Sequence, residues 1–320
     1  MAKILIIGGG AMGAAFSIPC LENNNNVVIT EPYSDKFTRD LKSRNKFHSG
    51  LKMKLPKKLK YQKFGKDLFQ ENYQLIVIAL SLPGVDLIIK ELGNFKNKIP
   101  ILILTKGLIY DKKKKKILTI PEMINKNYNK RDISVLKGPC LAKELAQKNK
   151  TSVVIANKSI KIAKKIGKLI STNYYSVEYS NDISGIEICS AIKNIYAMII
   201  GSGKNMNSKS NLFQKSMIEM KFLIKYFKGH EATILGLVGV GDLYVSAVGG
   251  RNSKMGYYLG KGYTFKSAKK KFMPKDTVEG EQLAREIAPY ILRKINKEKI
   301  PLMRHLLKTI LNIFLIRNMW

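Results

Sequence analysis

The chain has 320 residues, 45% of them hydrophobic, so it is long enough for two domains and apolar enough to exclude a disordered or fibrous protein. Its cysteines, Cys20, Cys140 and Cys189, lack paired spacing and neighbouring histidines, which argues against a disulfide framework or a zinc site and fits a reducing cytoplasm. The net charge of +34 is almost entirely lysine spread from end to end, whereas a specific nucleic-acid site would concentrate arginine and aromatic residues in one stripe.

Strands and helices alternate through the first half of the chain. A strand is predicted over Lys3–Ile7, and a run of glycines then leads into a helix over Ala11–Glu22. Further apolar strands are predicted at residues 27–30, 75–80, 99–104, 134–136 and 151–156. Uninterrupted apolar strands that alternate with helices are typical of a parallel sheet covered on both faces. The sequence therefore predicts a Rossmann-type doubly wound α/β domain over residues 1–180. The lysine run at residues 112–116 is predicted to be a solvated turn.

Beyond residue 180 the strand signals stop, and serine and asparagine residues interrupt the pattern at 174–181. The predicted helices lie at residues 183–200, 216–227, 253–259, 280–293 and 304–316. The second half, residues 181–320, is therefore predicted to be a mainly α-helical domain that carries the substrate. No stretch reaches the roughly 18 uninterrupted apolar residues of a membrane span, so none is expected.

The glycine run carries the first functional motif. Gly8, Gly10 and Gly13 form a G-x-G-x-x-G pattern between a predicted strand and a predicted helix. Gly8 permits the tight turn, Gly10 admits a pyrophosphate close to the backbone, and Gly13 allows the helix to pack on the strand. The helix N-terminus, with Ala11 and Met12 in its first turn, favours an anion. This pattern predicts a dinucleotide site.

The end of the second predicted strand bears on the choice of coenzyme. Glu31 follows Gly13 by eighteen residues, and a carboxylate there accepts hydrogen bonds from ribose hydroxyls and repels a 2′-phosphate. No arginine adjoins Glu31. We therefore predict NAD in preference to NADP, and leave NADP open because Lys36 is near.

Reduction of a ketone also requires a proton donor. None of the three histidines, His48, His230 and His305, shows an aspartate relay, and a surface or core role is expected for each. Lys193 interrupts an apolar helix instead, and a buried lysine is costly unless it is paired or functional. The alternative is that its chain extends to the surface, and the helix alone does not decide between the two.

Seven segments in order give the chain a family resemblance: GGGAMG at residues 8–13, TKG at 105–107, GPCLAKE at 138–144, GIE through KN at 185–194, GVGDL at 239–243, GGRN at 249–252 and VEG at 278–280. With these segments the chain resembles NAD(P)-dependent glycerol-3-phosphate dehydrogenase over nearly its whole length. It departs from the family pattern at residues 81–83, at Met12, where an aromatic residue is common, and at Cys140, where serine is usual.

The resemblance implies interconversion of dihydroxyacetone phosphate and sn-glycerol 3-phosphate. Lys193 would then be the proton donor, Lys106 a second cation near the substrate, and Asp242 the partner of a site lysine. The phosphate end would be bound by Asn194, Arg251 and Asn252, with Ser246 where the family often has threonine. The residues implied at the dinucleotide, beyond the glycine motif and Glu31, are Lys106, Ala142, Arg251 and Glu279.

Two other functions remain open. One is another 3-hydroxyacid or ketopantoate-type dehydrogenase, whose hydroxyacid relatives commonly place an asparagine four residues after the lysine; this chain has Ala197 there and Asn194 beside Lys193. The other is a non-catalytic NAD- or nucleic-acid-binding protein that uses the positive charge. For the dehydrogenase we expect a cytoplasmic enzyme with a small phosphorylated substrate, supplying the backbone of phospholipids, and a homodimer is left open.

Overall fold

The computed structural model of the chain describes residues 1–95, 99–127 and 132–311. By its contacts the chain divides into two compact units. The first unit comprises Met1–Lys106 and Ile120–Ile183, and the second comprises Gly107–Thr119 and Ser184–Trp320. The sequence places residues 107–119 in the first domain, whereas by their contacts they belong to the second unit. The assignment of coenzyme and substrate to the two units stays a prediction.

The strands of the described residues are β1 (Lys3–Ile7), β2 (Asn26–Thr30), β3 (Phe47–His48), β4 (Met53–Lys54), β5 (Lys60–Tyr61), β6 (Leu75–Ile78), β7 (Ile101–Ile103), β8 (Leu108–Asp111), β9 (Lys116–Thr119), β10 (Ile133–Lys137), β11 (Thr151–Ala156) and β12 (Tyr175–Ser180). Eight of them form the sheet of the first unit, in the order β12-β11-β10-β7-β6-β1-β2-β5. The predicted Rossmann-type α/β class is confirmed. The central strands β1 and β6 are buried on both faces, as their uninterrupted apolar sequences predicted.

The sheet departs from the sequence prediction at one edge. β11 runs antiparallel to β10, and β12 pairs with β11 in parallel over residues 175–180, where the sequence predicted a break between domains. Most side chains of β12 are exposed or half-buried, as befits an edge strand, so the run lacks the continuous apolar pattern by which buried strands are found. The short strands β3, β4 and β5 and the β8–β9 hairpin were also not predicted.

The helices of the described residues are α1 (Ala11–Glu22), α2 (Asp35–Lys42), α3 (Lys66–Phe69), α4 (Leu82–Glu91), α5 (Ile120–Asn127), α6 (Ala142–Ala146), α7 (Ile160–Ile170), α8 (Ile183–Gly201), α9 (Met206–Tyr226), α10 (Asp242–Gly249), α11 (Arg251–Gly260), α12 (Phe265–Phe272), α13 (Glu279–Lys294) and α14 (Pro301–Ile310). α9 begins ten residues before its predicted start, because Asn205 and Ser208 form a capping box there. Of the helix predicted at 304–316, residues 312–316 lie outside the described residues.

The second unit is built around α8. By length and composition this helix could cross a membrane, but 83% of its apolar window is buried inside the protein, as in a core helix. α11 lies close against it: a Cβ on Gly256 would stand 1.9 Å from the Met198 carbonyl oxygen, and one on Gly260 would stand 2.4 Å from that of Ser202. Both positions therefore require glycine, and the close contact packs the middle and the end of α11 against the C-terminal part of α8.

The β8–β9 hairpin packs against α13 in the same unit. The Tyr110 N–H donates to Glu286 Oε1 at 2.8 Å, and the Arg293 guanidinium donates to the Tyr110 hydroxyl at 2.9 Å. Residues 112–115 form the turn of the hairpin, Lys116 begins β9, and all five residues are exposed. The run is therefore a solvated turn, as predicted.

A buried carboxyl group joins three helices of this unit. Glu219 on α9 accepts hydrogen bonds from the Leu302 and Met303 N–H groups, at 2.6 and 3.0 Å, and from the Tyr196 hydroxyl at 2.9 Å. Its two oxygens thus satisfy the first turn of α14, which no side chain of its own caps. Burial raises the pKa of Glu219 above its usual value, while these three hydrogen bonds act in the opposite direction.

Replacement of Glu219 should be strongly destabilising. Glu219→Ala leaves two N–H groups and a buried hydroxyl without their acceptor, so we expect a loss of about 3 kcal/mol in the free energy of unfolding, measured by urea denaturation. Because the folded-state pKa is raised, this carboxyl favours folding at low pH, and that contribution is lost as pH rises through the folded-state pKa. The exposed Glu298→Ala is the control, with little or no change expected. Equal losses in both variants would contradict the capping role.

Candidate active site

The glycine motif forms the turn between β1 and α1 in the first unit. Gly8 has a φ of +117°, and its N–H donates to the Thr30 carbonyl oxygen at 2.9 Å. A Cβ on Gly8 would stand 2.5 Å from the Ala79 carbonyl oxygen, and one on Gly13 would stand 2.0 Å from the Gly8 carbonyl oxygen. Both residues must therefore be glycine for the helix to begin this close to the strand.

Gly10 differs from these two glycines because its side-chain direction is open. A Cβ there would meet only the ring of Phe37, at 3.7 Å. Gly10 is the N-cap of α1, and Ala11 and Met12 form the first turn, half-buried. The N-terminus of this twelve-residue helix thus faces a position that a phosphate can approach. The loop fits the pyrophosphate of a dinucleotide.

Glu31 lies beside this loop, but its oxygens already have partners. Oε2 accepts from the Gly9 N–H at 2.7 Å, and Oε1 accepts from the Tyr33 and Ser34 N–H groups at 2.9 and 3.0 Å. The side chain is buried. The position is the one predicted from the sequence, but the carboxylate is engaged with the protein backbone.

Lys106 follows β7 in the same unit, and its Nζ donates to the Gly138 carbonyl oxygen at 3.3 Å. A second lysine lies here that was not predicted from the sequence. Lys137 is almost fully buried, and its Nζ donates to the carbonyl oxygens of Thr105 and of Ile103, the latter at 3.4 Å. The sequence signal for a buried lysine was its place as the last residue of a short, mostly apolar strand, β10. Lys137 thereby holds the segment that presents Lys106, while Ala142 begins α6 nearby in the sequence, half-buried against the core.

The second unit holds the central cluster of the site. The Lys193 Nζ on α8 donates to Asp242 Oδ1 at 2.6 Å and to Ser246 Oγ at 2.5 Å. All three residues are buried. This burial decides the question that the helix sequence left open, because the lysine does not extend to the surface. A buried charge is retained only with a partner, and Asp242 provides it.

The local fold explains why Asp242 and Ser246 meet the lysine together. They lie four residues apart on α10 and therefore face the same side of that helix. A π-helical turn over Leu237–Gly241 precedes α10, and a Cβ on Gly239 within it would stand 2.0 Å from the Ile234 carbonyl oxygen. The GVGDL segment therefore supplies both the tight turn and the carboxylate.

Four more predicted residues lie beside this cluster, two joined by amide hydrogen bonds and two by an ion pair. The Asn252 side chain donates to Asn194 Oδ1 at 3.1 Å and accepts from the Gly280 N–H at 2.9 Å. It thereby connects the starts of α11 and α13 to the residue beside Lys193. Next to it, the half-exposed guanidinium of Arg251 forms an ion pair with Glu279.

Seven predicted residues thus meet within the second unit, namely Lys193, Asn194, Asp242, Ser246, Arg251, Asn252 and Glu279. The other predicted site residues, Gly8, Gly10, Ala11, Met12, Gly13, Glu31, Lys106 and Ala142, lie in the first unit. The histidines stay outside the seven-residue cluster. His48 is buried in the first unit, His230 is exposed, and His305 is half-buried, with a pKa that burial lowers.

Comparison with known proteins covers both halves of the chain. Residues 3–163 match the N-terminal family model of NAD-dependent glycerol-3-phosphate dehydrogenase, and residues 182–315 match its C-terminal model. The chain is 32% identical to an NADP(+)-dependent glycerol-3-phosphate dehydrogenase of Archaeoglobus fulgidus, across 92% of this chain and 91% of that protein. It is 30% identical to a glycerol-3-phosphate dehydrogenase [NAD(P)+] of Clostridium botulinum, across 82% of this chain and 80% of that protein.

The fold has a matching solved structure. The crystal structure of glycerol-3-phosphate dehydrogenase from Coxiella burnetii superposes with a TM-score of 0.85. The sequences are 23% identical, and the match covers 98% of this chain and 96% of that one. This likeness supports the pairing of a Rossmann-type unit with a mainly helical unit.

Proposed function

Because the chain belongs to the NAD-dependent glycerol-3-phosphate dehydrogenase family, we propose that its buried Lys193–Asp242–Ser246 cluster is the catalytic centre. The chain is an NAD(P)-dependent oxidoreductase that interconverts dihydroxyacetone phosphate and sn-glycerol 3-phosphate. The observation that carries the catalytic proposal is the lysine itself. It is buried and held by two hydrogen bonds, in the segment of the second unit that matches the family pattern.

The reaction adds a hydride to the ketone carbon and a proton to its oxygen. The bound nicotinamide supplies the hydride, and the protein must supply the proton. Lys193 carries its proton on Nζ and donates it to the developing alkoxide, then regains a proton from solvent. In the reverse direction the same nitrogen accepts the hydroxyl proton.

The partners of Lys193 fix where this proton is held. Asp242 and Ser246 anchor Nζ from one helix, so the ammonium does not reorient as charge develops on the substrate oxygen. The carboxylate also offsets the cost of burying the positive charge. Asp242 thus acts through Lys193, as a positioning residue.

The phosphate end of the substrate is assigned to the chain of residues beside the lysine. Arg251 offers a planar fork suited to phosphate, and Asn194 and Asn252 offer amide donors. The ion pair of Arg251 with Glu279 is about half exposed, so it is weak enough for an incoming phosphate to compete. This set explains a preference for a phosphorylated substrate.

The dinucleotide is assigned to the first unit. Gly8, Gly10 and Gly13 shape the loop, Ala11 and Met12 present the helix N-terminus, and we place Glu31, Lys106 and Ala142 at the same coenzyme. The family pattern also assigns Arg251 and Glu279 to the coenzyme, and that assignment stays a prediction. Within NAD(P), the preference for NAD stays a prediction.

The remaining proposals concern the cellular setting. We infer a cytoplasmic enzyme that supplies glycerol 3-phosphate to phospholipid synthesis, and a homodimer is compatible with that role. The lysine-rich surface attracts the anionic substrate without a specific nucleic-acid partner.

The test of function is NADH oxidation with dihydroxyacetone phosphate, compared with ketopantoate and small oxo acids. We expect kcat/KM for dihydroxyacetone phosphate to exceed kcat/KM for the other substrates by about a hundredfold or more. Substrates without a phosphate leave the phosphate-binding groups of the site unpaired. The same assay with added nucleic acid, at physiological salt, should show unchanged turnover. Faster turnover of ketopantoate would favour the competing dehydrogenase.

A further inference from the structure

Gly9, the middle residue of the glycine loop, is held on both of its polar groups by side chains from outside the loop. Its N–H donates to Glu31 Oε2 at 2.7 Å, and its carbonyl oxygen lies 2.8 Å from His48 Nε2. Both side chains are buried, and His48 has no exposed surface. A Cβ on Gly9 would stand 2.6 Å from Leu41 and 3.1 Å from the Cβ of Glu31, so the loop lies directly on this support.

The partners of His48 determine which of its nitrogens carries the proton. The Gly9 carbonyl oxygen can only accept, so Nε2 must donate to it. Nδ1 accepts from the Leu51 N–H at 3.1 Å and therefore carries no proton. The ring is a neutral imidazole with a fixed tautomer, and it stacks on Phe37 with a centroid distance of 5.2 Å and an interplanar angle of 10°. All of these contacts lie within the first unit.

The hydrogen bonds that Glu31 already accepts leave few acceptor positions on its carboxylate for a ribose. A carboxylate offers about four lone-pair positions, and three backbone N–H groups occupy three of those on Glu31. A residue that selects NAD by accepting from both ribose hydroxyls needs two positions. The hydrogen bonds of Glu31 therefore serve the backbone of the loop and of residues 33–34, and too few lone-pair positions remain for both ribose hydroxyls.

We propose, building on the coenzyme role assigned to this loop, that His48 and Glu31 are positioning residues that hold Gly9 from opposite sides and preorganise the pyrophosphate site. By fixing the peptide groups on either side of Gly9, they fix the orientation of the Gly10 N–H and the start of α1. The pyrophosphate is common to NADH and NADPH. Loss of either support therefore weakens both coenzymes by the same factor, and Glu31 does not choose between them.

The experiment measures the dissociation constants of NADH and NADPH by coenzyme fluorescence, with kcat and both KM values, for wild type and four variants, one of them a control. His48→Phe keeps the stacked ring but loses both hydrogen bonds. We expect each dissociation constant to rise about tenfold, equivalent to about 1.4 kcal/mol. In His48→Gln the amide nitrogen can still donate to the Gly9 carbonyl oxygen. The Leu51 N–H retains an acceptor, because it also donates to the backbone carbonyl oxygen of residue 48 at 3.2 Å. Most of the coenzyme affinity should therefore return. KM for dihydroxyacetone phosphate should stay near the wild-type value.

Glu31→Gln is the variant that separates positioning from coenzyme selection. Its single carbonyl oxygen can serve Gly9 or the Tyr33–Ser34 pair, but not both. We expect both dissociation constants to rise about tenfold with their ratio unchanged within about twofold. If Glu31 selects the coenzyme instead, the affinity of the variant for NADPH relative to NADH rises tenfold or more. That result overturns the proposal for Glu31.

The matched control is Asn25→Ala, at the N-terminal ends of β1 and β2, whereas the glycine loop follows the C-terminal end of β1. Asn25 is also buried and bonded to backbone, accepting from the Ala2 N–H and donating to the Cys20 carbonyl oxygen at 3.1 and 2.9 Å. This variant should lose stability without losing coenzyme affinity. The proposal fails if His48→Phe leaves both dissociation constants unchanged, or if Asn25→Ala raises them equally. Wild-type protein that binds neither coenzyme would instead refute the proposed function.

Discussion

Lys193→Ala is expected to lower kcat by about a hundredfold or more while the dissociation constant of NADH stays nearly unchanged. The variant removes the group that donates a proton as charge develops on the substrate oxygen, and this interaction is made in the transition state. The coenzyme docks without it. The measurement pairs steady-state kinetics across pH with a direct titration of NADH.

The variant also removes the partner of a buried carboxylate, so its folding must be checked. Lys193 and Asp242 form a buried ion pair, and the loss of one member can destabilise strongly. Lys193→Ala combined with Asp242→Asn removes both charges and should restore stability without restoring turnover. A folded Lys193→Ala protein with near-normal kcat across pH would contradict the proton-donor role.

Arg251→Lys should impair the reaction of the phosphorylated substrate selectively. An ammonium cannot reproduce the planar fork of a guanidinium, so we expect kcat/KM for dihydroxyacetone phosphate to fall by the equivalent of about 1.5–3 kcal/mol. Unphosphorylated dihydroxyacetone, a poor substrate for wild type, should lose far less because it has no phosphate. The measurement compares the two proteins on the two substrates.

The ion pair with Glu279 supplies the control for this comparison. Glu279→Gln removes the carboxylate that competes with phosphate for Arg251, so KM for dihydroxyacetone phosphate, measured at saturating NADH because Glu279 is also assigned to the coenzyme, should stay the same or fall. Equal fractional losses on both substrates in Arg251→Lys would show that the residue supports the fold or the coenzyme. The phosphate-binding role would then be wrong.

The sequence alone determined the fold class, because its signals are local. The apolar runs within Lys3–Ile7 and Thr151–Ala156 can be buried on both faces only in a covered sheet, and both strands have the bounds predicted. Gly8 and Gly13 are required by contacts within their own turn and with the neighbouring strand. Local spacing of this kind carries enough information to predict the glycine turn to which we assign the coenzyme.

Tertiary structure decided whatever depended on partners distant in the sequence. The helix around Lys193 was compatible with an exposed or a buried lysine, and Asp242, 49 residues away, settled it. Strand β12 was not predicted because an edge strand has no continuous apolar pattern. The β8–β9 hairpin belongs to the second unit, and not to the predicted first domain, because α13 supplies its hydrogen-bond partners. His48 and Glu31 became supports of Gly9 because a hydrogen bond needs a donor and an acceptor together, and only folding brings these to within 3 Å.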